Sequence, residues 1–193
     1  MLAQRITVRN KFSDFEVNQL LHALAEQLSS LELLHLRPSS ILVIKKQVSL
    51  LAGAGTAEQQ LQLLVKSQVV DKYMSPELQQ LVKCSASVLD VDLSKVQVFS
   101  LGIILMQLLL LREEHDLEHR QAAEIGNELF QELVSDMLIT APDSRLELCS
   151  ISARLYSFKS HSQFELEFDF RRGQVLGHGA FGVVKKCFSN IDK

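Results

Sequence analysis

Apolar residues recur three and four positions apart at Val17, Leu20, Leu21, Leu24 and Leu28, the spacing of one helical face. Ser13 or Asp14 can cap that helix. Glu16, three residues after Ser13, adds the signature of a capping box, so a helix is expected over about 15–30. Pro38 stops any helical continuation. Two β-rich runs, Ile41–Ile44 and Val48–Leu51, are joined by Lys45, Lys46 and Gln47 and predict a short hairpin over 41–51, ended by Gly53 and Gly55. Residues 56–72 are polar and weakly patterned and read as a loop with at most a helical turn. Ser75 as N-cap and Pro76 at the first helical position predict a helix over 76–84.

The stretch Val98–Leu111, VFSLGIILMQLLLL, is apolar on every side and predicts a helix over about 96–111. At 14 residues it falls short of the roughly 20 a bilayer crossing needs, and Arg112, Glu113 and Glu114 close it. It reads as the buried centre of a globular domain. Helical spacing returns at Ile125, Leu129, Phe130, Leu133, Val134, Met137 and Leu138, and predicts a helix over 122–138. A last helix is expected over 143–155, after the turn at Pro142. Beyond Ser157 the period changes to two: Phe164, Leu166, Phe168 and Phe170 alternate with acids. Strands are expected around Gly173–Leu176 and Val183–Phe188, so a mainly helical unit gives way to a β unit near 157–163.

Composition adds exclusions. The chain has 193 residues, 47% apolar and 22% charged, as in ordinary folded domains. A net charge of −3 gives no reason to expect nucleic acid or an anionic membrane as direct partner. Cys84, Cys149 and Cys187 are far apart, odd in number and without metal-ligand spacing, which points to reduced thiols and a cytoplasmic setting. The first dozen residues contain no apolar h-region of a signal peptide.

Several motifs, in order, resemble the large lobe of a protein kinase. LSSLELLHLRPSSIL resembles the catalytic-loop stretch, QVSLLAGAG the strand into the metal-binding Asp-Phe-Gly, YMSPE the end of the activation segment, and KVQVFSLGIILMQLL the central helix. LVSDMLITAPDSRLEL resembles the last core motif, and the resemblance implies that Arg145 pairs with Glu77. The departures fall on the chemistry. Aligned without a gap, His35 stands where the catalytic Asp would be; with a two-residue gap, which suits the upstream residues better, His35 is the family's histidine and Arg-Asp are missing. Ser40 replaces the metal-binding Asn and Ala52 the metal-binding Asp. Magnesium prefers carboxylate and phosphate oxygens, which neither side chain supplies. Gln97 replaces the aspartate that braces the catalytic loop, read here as a lost brace. Residues 1–156 thus resemble a pseudokinase C-lobe without its N-lobe, with 157–169 as linker.

A second resemblance follows in QVLGHGAFGVVKKC, which matches the kinase loop G-x-G-x-x-G-x-V. It implies a nucleotide-binding set of Leu176, Gly177, His178, Gly179, Ala180, Phe181, Gly182, Val183 and Val184, with Phe181 at the tip and Leu176 and Val184 against the adenine. A dinucleotide-binding loop shares the glycines but needs a helix directly after them, whereas Val183 and Val184 favour a strand. Phe164, Phe168, Asn190 and Asp192 flank the loop as in kinases of the initiation-factor-two alpha subunit. The tandem order is similar to that of the general-control, amino-acid-starvation type.

What this implies is a protein-kinase-like fold: a mainly α C-lobe with a short β-hairpin, then, over 170–193, the first two strands of a second, truncated kinase domain. The implied function is that of a fragment of a serine/threonine kinase acting on the initiation-factor alpha subunit in a stress response and regulating translation. ATP with magnesium belongs to the complete parent, and none is expected on this chain, which alone is expected to be inactive. The implied partners are the adjacent kinase domain and the alpha subunit, with homodimerisation open. The alternatives are a non-catalytic scaffold or adaptor, or part of a Wee-type or Janus-type protein.

Overall fold

The computed structural model describes residues 2, 12–44, 47–51, 55–84, 91–112, 119–155, 168–179 and 182–189, the last two stretches as backbone. They fall into two units, Met1–Ala153 and Arg154–Lys193.

In the first unit, α1 (Asp14–Leu28) starts at a complete capping box. The Ser13 hydroxyl accepts the Glu16 N–H, and the Glu16 carboxylate accepts the Ser13 N–H. Its buried face is Val17, Leu20, Leu21, Leu24 and Leu28. After a 3₁₀ turn at Pro38–Ser40 come β1 (Ile41–Ile44) and β2 (Gln47–Leu50), antiparallel, with Ile41 opposite Leu50 and Ile44 opposite Gln47. The Gln27 side-chain amide, from α1, donates to the Val48 carbonyl and accepts from the Leu50 N–H. It thus occupies the edge of β2 that faces away from β1.

The next element departs from expectation. Residues 56–72 are not a loop: α2 (Ala57–Ser67) fills most of them. Thr56 and Gln59 form a second capping box, and only Ala57 and Leu61 of the helix are fully buried, so its apolar stripe is narrow. Gly55, at φ +102°, turns the chain into this cap, a conformation that favours glycine.

α3 (Pro76–Cys84) starts at Ser75, whose hydroxyl accepts the Leu78 N–H. α4 (Leu93–Leu110) is the centre of the unit, with every residue from Lys95 to Leu108 buried. It is 18 residues long, more than the apolar stretch alone, and so passes on length and composition for a membrane span; 78% of it is buried against protein. Asp92 caps it by accepting from the N–H groups of Ser94 and Lys95.

The helix expected over 122–138 is interrupted. Residues His119–Glu124 make a 3₁₀ segment, and α5 (Glu128–Met137) begins only after Asn127, whose side chain accepts from Leu129 and Phe130 N–H. Ala122 and Ile125 are buried in helical register but lie before a new N-cap. The expected 143–155 helix likewise splits into a 3₁₀ turn, Pro142–Ser144, and a helix α6 over 148–155.

The second unit holds β3 (Phe168–Gly179) and β4 (Gly182–Ser189), an antiparallel pair longer than the strands expected from the sequence.

Candidate functional site

The loop 31–40 carries the first group of expected site residues. Gln97, buried on α4, donates to the carbonyl oxygens of Leu31 at 2.8 Å and Leu33 at 3.1 Å. This corrects the reading of Gln97 as a lost brace: an amide N–H₂ has two donors, and both go to the loop backbone. The Leu34 N–H donates to Gln60 of α2 at 3.0 Å, so α2 holds the loop from the other side. Leu33, Leu34 and Leu36 are buried, which directs His35 and Arg37 the other way.

His35 does not face an open cleft. Its Nε2 lies 3.1 Å from Asp71 Oδ1 and 3.0 Å from Oδ2. Arg37 Nη2 pairs with Asp71 Oδ2, and Arg37 Nε lies 3.2 Å from the same His35 nitrogen. Asp71 can only accept and so needs the hydrogen on Nε2, whereas the Arg37 Nε–H donates to the same nitrogen and needs its lone pair, so the two contacts compete for Nε2. Burial pushes the Asp71 carboxyl up, but the hydrogen bond and charge of His35, followed by the charge and hydrogen bond of Arg37, outweigh it and hold the group below its ordinary range. No motif in the sequence marks Asp71. It lies 36 residues from His35 with no local pattern linking them.

Ser40 ends the 3₁₀ turn, half-buried, with its carbonyl accepting the Leu51 N–H at 2.7 Å. Ala52 lies outside the described residues. Among the described residues no three His, Cys, Asp or Glu side chains are grouped to hold a metal ion. An open groove of about 600 Å³, lined by His22, Glu26, Ser94, Glu147 and Cys149 among others, contains none of the expected site residues.

Glu77 and Arg145, 68 residues apart, are in contact. Arg145 Nη1 donates to Glu77 Oε1 at 2.5 Å and Nη2 to Oε2 at 3.0 Å, a bidentate pair. The remaining donors go to the carbonyls of Ile139, Lys95 and Thr140, and the guanidinium stands 5.0 Å from the centre of the Phe99 ring. Lys95 returns the contact, donating to the Arg145 carbonyl at 2.6 Å and pairing with Glu147 at 2.5 Å. Burial raises the Glu77 carboxyl, but the Arg145 hydrogen bond, a backbone N–H, the Arg145 charge and the Ser75 hydroxyl together bring it below its ordinary range.

The glycine-rich stretch forms a hairpin. His178 pairs with Val183 and Gly179 with Gly182, leaving a two-residue connection, Ala180 and Phe181, outside the described residues. Gly177 lies opposite Val184, next to an irregularity in register between Val175 and Gly177. Leu176 lies in β3 and Val183 and Val184 in β4. A dinucleotide-binding loop would need a helix where β4 runs. Phe168 opens β3; Phe164, Asn190 and Asp192 lie outside the described residues.

No family model matches the chain, and no curated protein matches it.

Proposed function

We propose that residues 1–153 are a kinase-type large lobe that has lost phosphotransfer chemistry and serves as a regulatory unit. The hairpin 168–189 is then the phosphate loop of a second kinase domain, in a cytoplasmic serine/threonine kinase of the general-control type that acts on the initiation-factor alpha subunit.

The observation that carries this reading is the buried Glu77–Arg145 pair. It ties the start of α3, after Ser-Pro, to the segment before α6, across 68 residues. A fully buried guanidinium is costly to desolvate and is a specific choice where an apolar core would serve. The Gln97 brace on loop 31–40 supports the same reading, since it keeps that loop shaped while His35, Ser40 and Ala52 supply no base and no magnesium ligands. The strand-to-strand glycine turn supports the second half, because a backbone without side chains can approach phosphates closely.

The test is a phosphotransfer assay with the 193-residue chain, magnesium–ATP and the alpha subunit as acceptor. No turnover is expected, whereas the same chain continued into a complete kinase domain phosphorylates the subunit at a rate that Arg145→Met changes. Metal-dependent transfer by the 193-residue chain refutes the loss of chemistry. A continued chain that ignores Arg145→Met refutes the regulatory role.

A further inference from the structure

Two basic side chains on one loop converge on one acid from another. His35 and Arg37 are two positions apart, and both reach the Asp71 carboxylate. The Asp71 side chain is only 9% exposed and that of His35 13%. Asp71 Oδ1 also accepts the Tyr73 N–H at 3.0 Å, so the carboxylate is held by donors on three sides. The chain on either side of it is of two kinds. After it, Tyr73 is fixed to α4: its carbonyl accepts from Ser100 at 2.7 Å and its hydroxyl donates to Gln107 at 2.8 Å. Before it, Gln68 has positive φ, and Val69 and Val70 are 40% and 41% exposed. Asp71 therefore enters the cluster as the first anchored point after a stretch that runs over the surface.

A guanidinium N–H from Arg37 Nη2 and the His35 ring nitrogen, both directed at a single carboxylate beside the Tyr73 N–H, are the elements of an oxyanion site. We propose that His35 and Arg37 form an oxyanion seat that Asp71 fills as a built-in ligand, and that the seat accepts a free oxyanion of the phosphate type when Asp71 is removed. The depressed Asp71 carboxyl agrees with donors that favour negative charge there. In the intact chain the tethered carboxylate is always at hand, at an effective concentration that free phosphate does not match. The seat is independent of the kinase-type reading, since it rests on three side chains and their distances.

The experiment is thermal unfolding of the full chain in inorganic phosphate, with chloride at matched ionic strength as control. Asp71→Ala melts below the intact chain, and phosphate raises its midpoint saturably, by roughly 3–6 °C at ten times the dissociation constant. The intact chain and the double variant Asp71→Ala/Arg37→Ala show no shift beyond that in chloride. If Asp71→Ala does not fold, Asp71→Ser is titrated with phosphate by calorimetry, and saturable heat that vanishes with Arg37→Ala is expected. Absence of an anion-specific shift or heat overturns the seat, as does an equal response in the intact chain or in the double variant.

Discussion

Arg145 uses all of its hydrogen-bonding capacity inside the protein. Its five N–H groups meet two carboxylate oxygens and the carbonyls of Ile139, Lys95 and Thr140, and its side chain has no exposed surface. Such an arrangement costs little while complete and much when one member is missing, because the partner is then left charged and dry. Arg145→Met is expected to destabilise the chain by about 3–5 kcal/mol, and the double change Arg145→Met/Glu77→Leu by less than the single one. Urea midpoints at neutral pH measure both. The same pair and the Asp71 cluster set the acid limit. Both carboxyls hold protons less readily folded than unfolded, so their contribution is full above the ordinary carboxylate range and is lost as pH falls through their lowered values. Stability should fall below about pH 5, and Asp71→Asn with Glu77→Gln should flatten that slope.

At the scale of elements, α4 and α5 meet where a glycine allows it. A Cβ on Gly102 would stand 2.9 Å from Met137 Cβ and 2.9 Å from Leu138 Cδ2. Alanine is the better helix former by about 1 kcal/mol, but overpacking costs about 1–3 kcal/mol, and Met137 Cβ is fixed to its backbone and cannot step aside. Gly102→Ala is expected to lose about 1 kcal/mol or more in urea unfolding, the reverse of its helix propensity. Elements were legible where a strong apolar period coincided with a local signal. The Ser13–Glu16 box and the Leu20–Leu28 stripe speak together at α1. At α2 the Thr56–Gln59 box stands before a helix with two fully buried residues, so its apolar period is too thin to mark a helix. At α5 the period was too generous, because Ala122 and Ile125 pack in phase although Gly126 and Asn127 restart the helix. The site divides likewise. Glu77 and Arg145 were paired only through resemblance, and Asp71 had no signal, because contacts across 36 or 68 residues depend on the fold and not on spacing.

At the scale of the molecule, the two units differ in what they can sustain. The first contains a core running from Leu2 to Ile151, including the cluster of Leu34, Leu61, Met74, Leu78, Leu81, Val82 and Val96 beneath α2 and α3. Among its described residues the second contains one two-stranded pair, an arrangement marginal in water without further strands or a helix to cover it. A peptide of residues 157–193 is therefore expected to show the circular dichroism of an unfolded chain. A β spectrum with a cooperative melt would contradict this. The first unit has its own two-stranded sheet, and there Gln27 matters in a further way. A bare strand edge is a template on which another chain can dock and seed an aggregate. By spending its amide on Val48 and Leu50, Gln27 presents that template with a partner one residue long, which cannot be extended. One glutamine on a helix thus stands guard over that edge.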